Sequence, residues 1–432
     1  MSELPPISPA ESQPRHWISW LAAAAVISTV LAVLLLLGPA QRLRTVVDQE
    51  LVSRANDALR EQQPELAIPL LDELLRRHPD SAEALTMAGR AYATAGRFDE
   101  AVTLLRQIAD SERRSAASAA INIGDILLNK LGKPSEAEES FRRAVRLNPA
   151  SLDANLRMAF LLGLSGRPWE AIPYRLPLIR LTKADSLNLY LLCTGATVIE
   201  NPEQLAELSR LAQGDPLLLL GLARQAIDQQ QIDRALELLQ EYVVAFPEHA
   251  AGQARLGQLL LEKKNDEAFV RWHEQLPESA DQHPGIWVVR GSWSQEHGQP
   301  QSAMRCFWEA IRIDPNHERA NYQLGQLLLA ENRATEANIF LQRSKQLEAL
   351  FDEVSTAWSS HDYGAARRAS ELCEQLGLVW ESYGWARLVA EDAPDQRWAH
   401  ETMKRLQPRI DSLPLERGLP ESDQTKTGDL SD

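Results

Sequence analysis

The sequence predicts an all-α array of stacked antiparallel helix pairs behind an N-terminal transmembrane helix. Three observations carry that expectation. An uncharged apolar run occupies Trp17–Leu37, small and aromatic residues recur at fixed offsets beyond it, and prolines close units of about 34 residues.

Residues 1–16, a short flexible tail, lead into the run WISWLAAAAVISTVLAVLLLL, which places the membrane segment at 17–38. At about 1.5 Å per residue its 21 residues span roughly 30 Å, the depth of a bilayer's hydrocarbon core. Its Leu, Ile and Val side chains favour insertion by roughly 3 to 7 kcal/mol. Trp17 and Trp20 stand where an interfacial belt sits. Gly38-Pro39-Ala40 offers small residues for a cleavage site, but the apolar stretch exceeds the roughly 7 to 15 residues usual in a removable signal. Arg15 before the run against Arg42 and Arg44 after it slightly favours a cytoplasmic C-terminal domain. A domain behind one N-terminal anchor is commonly displayed outside the cytoplasm, and the two arguments nearly cancel. A linker follows at 39–47.

From residue 48 the pattern changes. Ala303, Phe307, Ala310 and Pro315 share their offsets with Ala137, Phe141, Ala144 and Pro149, and Ala67, Leu71, Leu74, Pro79 and Ala235, Leu239, Tyr242, Pro247 repeat them. Upstream, Gly291 and Gly298 match Gly89 and Gly96, then Ala159 and Gly166. The closing prolines Pro79 and Pro149 stand two units apart, as do Pro247 and Pro315. Within a unit such as IDRALELLQEYVVAF, apolar side chains fall on one helical face. Two such helices approach closely only where Gly or Ala stands at the contact, and proline ends the second because it lacks an amide donor and clashes with the turn before it. A lone pair leaves a face uncovered, so neighbours must stack.

The order Trp287, Gly291, Gly298, Ala303, Phe307, Ala310, Pro315 resembles the tetratricopeptide repeat, whose period it shares. The resemblance implies a superhelical α-solenoid and covers most of 48–349, with a degenerate pair at 185–215. Residues 350–407 read as further degenerate helix pairs, and 408–432 as a disordered acidic tail. It also implies that the residue after the small position of each first helix faces a peptide-binding groove. Those residues are Asn56, Arg90, Asp125, Phe160, Arg224, Gln258, Ser292 and Gln326. Relatives that grip the carboxylate of a chaperone tail carry Lys four residues before an Asn here; Val52 precedes Asn56 instead, which argues against that mode.

Eight of the 11 tryptophans fall between residues 272 and 398, and Trp293 is the one expected to be exposed as an aromatic contact for a partner; core filling accounts for the others. Cys193, Cys306 and Cys373 are far apart, lack CxxC spacing and read as core thiols. The histidines are scattered, His273 and His283 lacking metal-ligand spacing. Phosphate-loop, HExxH and GxSxG motifs are all missing, so neither cofactor, metal nor catalysis is expected. A net charge of −15 disfavours nucleic acid and favours neutral or basic protein segments. The expected function is a non-enzymatic, single-pass membrane scaffold for a protein or peptide partner. Its resemblance extends to bacterial membrane-bound repeat proteins of envelope assembly, though some of those end in a four-cysteine module that three cysteines cannot build. An accessory subunit of a membrane enzyme complex and a diverged enzyme are the alternatives.

Overall fold

The structure is a computed structural model that describes residues 48–194, 202–212 and 214–412. The expected membrane segment Trp17–Leu37 and the linker lie outside these residues. Among the described residues there is no strand, and no helix is long and apolar enough to cross a membrane. The chain divides at Gln107 and Ile108 into two compact units.

The first unit holds α1 (48–60), α2 (Pro64–Arg77), α3 (Ala82–Thr94) and α4 (Phe98–Arg106). Ser81 caps α3 by accepting from the Ala84 amide. Gly89 lets α3 lie directly on Leu105 of α4, where a Cβ would come within 2.5 Å of the leucine side chain.

The second unit begins with α5 (Arg113–Asn129), α6 (Pro134–Leu147), α7 (Leu152–Leu164) and α8 (Pro168–Arg175). Next come the short α9 (Leu178–Leu181), α10 (Ser186–Thr194) and α11 (Pro202–Leu211). Regular pairing resumes with α12 (Leu219–Asp228), α13 (Ile232–Ala245), α14 (Ala250–Glu262), α15 (Asp266–Glu274), α16 (Pro284–Glu296), α17 (Pro300–Ile313), α18 (Glu318–Ala330) and α19 (Ala334–Ser360). The unit ends with α20 (Tyr363–Gln375), α21 (Val379–Asp392) and α22 (Arg397–Ser412).

The small–large pairing expected from sequence is the contact within each pair. Phe141 and Phe307 are fully buried, lying against Gly124 and Gly291 respectively. Helices α2, α6, α13, α17 and α21 each stop two residues before a proline, at Pro79, Pro149, Pro247, Pro315 and Pro394.

Where that proline is missing, the expected boundary moves. Helix α19 crosses residue 349 and runs on to Ser360 because neither Pro nor Gly interrupts it, and it turns only at the left-handed His361 (φ 53°). Likewise α22 reaches Ser412, past residue 407 where the disordered tail is expected to start. Leu406 and Ile410 are both buried one turn apart, and that burial holds the last turn despite Pro408.

The pairs around α9–α11 depart from a simple stack. Gly166, after α7, and Gly221, in α12, meet backbone to backbone: a Cβ on Gly221 would lie 2.2 Å from the Leu164 carbonyl oxygen. Asp215 accepts from the amide (2.9 Å) and hydroxyl (2.7 Å) of Ser135, tying the start of α12 to the start of α6. Helix α10 packs mainly on α19 and α21. Tyr190 stacks on Trp358 at 4.6 Å, the Lys183 ammonium meets Asp392 at 2.8 Å, and Arg180 donates to the Ile410 carbonyl at 2.6 Å.

Candidate protein-binding cleft

First helices α14, α16 and α18 owe their aligned starts to one repeated device. Asp215, His249, His283 and His317 recur at the period of the repeat itself, and each stands before a helix. Nδ1 of His249 accepts from Gly252, that of His283 from Gly285, and that of His317 from Ala320, at 3.2, 3.1 and 3.3 Å. With Nδ1 an acceptor, a ring proton sits on Nε2. Burial, then the neighbouring His249 and His317, push His283 down to about 4, and burial also lowers His317. Sequence reasoning misses this column, although its regular spacing is there to find.

His249 also ends a partly buried charged network. Its Nε2 donates to Glu170 at 2.6 Å, Arg167 holds both Glu170 (2.7 Å) and Glu138 (2.5 Å), and Arg142 donates to Glu138 at 2.9 Å. Burial alone would raise the Glu170 carboxyl, but the hydrogen bonds from His249 and Arg167 hold it at about 2. The network joins the α7–α8 turn to the start of α14.

Above it, a cleft of about 370 Å³ opens along α14 and α16. Two of the sequence-predicted groove residues, Gln258 and Ser292, line it. Gln258 accepts weakly from Arg255 at 3.5 Å and donates to Glu262 at 2.9 Å, so both ends of its amide are held. Ser292 lies 3.5 Å from the Arg319 guanidinium. Trp169, 39% exposed, forms an apolar wall. Arg255, Arg319, Glu262 and Glu296 share the same lining, so the cleft carries both signs although the whole chain is acidic.

All eight predicted groove residues sit on first helices, and two of them, Gln258 and Ser292, line this cleft. Asn56 (half-buried) and Arg90 (exposed) belong to the first unit. Asp125 is taken by Arg157 in a two-point ion pair at 2.7 and 3.2 Å. Phe160 is half-buried on α7, and Gln326 is exposed on α18 outside the cleft lining. Arg224 is half-buried, its Nε and Nη1 without hydrogen-bond partners among the described residues; burial and then Arg255 push it down to about 10.

Trp293 is not the exposed contact expected of it. Its ring is half-buried between Phe269, parallel at 5.6 Å, and His297 at 4.1 Å, because α15 and the end of α16 close over both faces. None of the eight tryptophans in 272–398 is exposed; Trp169, outside that cluster, is. Among the described residues, no group of His, Cys, Asp and Glu is arranged to hold a metal ion. The cleft offers donors, acceptors and an apolar wall suited to an extended polypeptide.

The family model described as Tetratricopeptide repeat matches residues 52–112, 86–151 and 220–284. Among curated proteins, the chain is similar to the peroxisomal targeting signal receptor of Eremothecium gossypii, 26% identical over 307 residues, covering 70% of this chain and 48% of that protein. It is also similar to human protein O-mannosyl-transferase TMTC3, 22% identical over 277 residues, covering 59% of this chain and 30% of that one. The match therefore spans less than half the length of either relative. Among solved structures, a tetratricopeptide repeat protein from Parabacteroides merdae aligns at 14% identity and a TM-score of 0.27, covering 65% of this chain and 99% of that one. With its matched segments folded as helix pairs, the chain carries tetratricopeptide repeats and is a helical repeat scaffold suited to protein–protein interaction.

Proposed function

We propose that this protein is a non-enzymatic scaffold, held in a membrane by Trp17–Leu37, that gathers a protein partner through the cleft along α14 and α16. The observation that carries this reading is the cleft itself: Gln258 and Ser292 present polar groups to it beside the exposed face of Trp169. The charge balance of Arg255 and Arg319 against Glu262 and Glu296 favours an extended segment of mixed or neutral charge, with backbone amides meeting Gln258 and an apolar side chain against Trp169. The membrane part rests on the length and apolarity of the N-terminal run. Reception of a targeting signal, named for the Eremothecium gossypii relative, is a role of the same kind.

A photo-crosslinking residue placed at Gln258 or Ser292 of the full chain, in its own cells, tests the reading. One partner captured at both positions, absent with the same residue at exposed Gln326, and lost on Trp169→Ala is the expected result. Equal capture at Gln326 means that the cleft is not the binding site. Recovery of the chain in the alkaline-washed membrane fraction, abolished by deleting residues 17–37, is expected of the anchor; release by the wash overturns it.

A further inference from the structure

Spacing along the chain keeps the three cysteines apart, yet the fold brings two together. Cys193, on the last turn of α10, and Cys373, on α20, are 180 residues apart in sequence, and their Sγ atoms lie 3.6 Å apart. A disulfide needs about 2.05 Å, so the remaining gap is within reach of a side-chain rotation and a small shift of α10. Cys373 is fully buried, whereas Cys193 keeps partial access to solvent. The indole N–H of the fully buried Trp385 donates to Cys193 Sγ at 3.4 Å and holds that sulfur on the side of its partner.

We propose that Cys193 and Cys373 are a redox site, a dithiol that closes to a disulfide and staples α10 to the C-terminal helices. Exposure sets the order of events. With glutathione disulfide as oxidant, the Cys193 thiolate attacks one of its sulfurs, forming a mixed disulfide and expelling one glutathione thiolate. Cys373, deprotonated in turn, attacks Cys193 Sγ; the bond to glutathione breaks and the second glutathione leaves. The two cysteines lose two electrons, glutathione disulfide gains them, and the two cysteine protons pass through water to the two glutathione thiols. The new bond closes a loop of 180 residues and restricts the unfolded chain, while in the folded chain it fixes the contact that α10 makes with α19 and α21.

Cys306, half-buried on α17 with burial raising its thiol above the ordinary range, serves as the internal reference. The full chain is reduced, treated with glutathione disulfide without air, alkylated and digested without reductant for mass spectrometry. The expected result is a linked peptide pair joining residues 193 and 373, loss of two of the three thiols, and a melting temperature several degrees higher that dithiothreitol reverses. Cys193→Ser is expected to abolish the link and leave Cys373 unreacted. Cys373→Ser is expected to halt the reaction at a glutathione adduct on Cys193; if that variant does not fold, as judged by circular dichroism, Cys373→Ala replaces it. A lasting glutathione adduct on Cys193 of the unaltered chain, a link through Cys306, or three thiols remaining overturns the proposal.

Discussion

The stretch α12–α18 and the region formed by α10 with α19–α22 are both built from α-helices and held by different means. In the first, each pair leans on the next through repeated local devices: a cap once per repeat, a small residue under an aromatic ring, a proline just past the helix end. In the second, helices far apart in sequence meet through particular side chains, Tyr190 on Trp358, Lys183 on Asp392, Arg180 on the Ile410 carbonyl. A periodic interface repeats its chemistry and leaves a trace in the sequence. A closing interface occurs once and leaves none.

The sharpest way to separate the two regions is to damage one alone. Trp385 is fully buried in the core shared by α10 and α19–α22, and Trp385→Ala is expected to cost about 3–5 kcal/mol. Hydrogen exchange is expected to rise in α10 and α20–α22 while α14 and α16 keep their protection. A uniform rise across both regions would mean that they unfold as one, and the distinction between them would fail.

A smaller loss is expected where α12 meets the end of α7. Gly221→Ala sets a methyl group against the Leu164 carbonyl oxygen, at an expected cost of about 1–3 kcal/mol by chemical denaturation. Gly298→Ala provides the comparison: its surroundings are open, so only its left-handed backbone (φ 69°) is penalised, by about 1 kcal/mol. Should the two variants melt together, the backbones at Gly166 and Gly221 are not in close contact.

Acid supplies the gentlest probe, and it reaches the periodic region first. His283 has its folded pKa near 4, below the ordinary 6.5, so the unfolded chain takes up protons more readily. The stability this contributes is complete above about pH 6.5 and is lost as pH falls toward 4. Between pH 7.5 and 5.5 the expected loss is about 1 kcal/mol from this group. Glu170, held at about 2 against an ordinary 4.5, keeps its contribution above pH 4.5 and loses it only below that, as pH falls toward 2. His283→Asn retains a capping acceptor without a titrating ring and is expected to flatten the upper part of the profile. An unchanged slope in that variant would assign the acid sensitivity elsewhere.

Much of the fold is legible from residue types alone, and the misses share a cause. Gly291 beneath Phe307, and helix ends two residues before Pro79, Pro149, Pro247 and Pro315, follow from size and backbone chemistry that act within one or two turns. The end of α19 escapes such reasoning because a helix without a stop signal runs until tertiary packing turns it, here at His361. Its own helix puts Trp293 on an outer face; Phe269, from the neighbouring helix in the stack, covers it. The groove positions fall on first helices, and Gln258 and Ser292 share a cleft, while Arg157 pairs with Asp125, a contact that no repeat rule foresees.

By itself the sequence determined that helix pairs recur along the chain, where several of those helices stop, and which small residues lie at their contacts, because these depend on interactions a few residues apart. Only the tertiary structure decided that α10 meets α19 and α21, that Cys193 lies beside Cys373, and that Gln258 and Ser292 share a cleft with Trp169. Those depend on residues from separate repeats, whose approach follows from the summed angles of every helix between them rather than from any local preference.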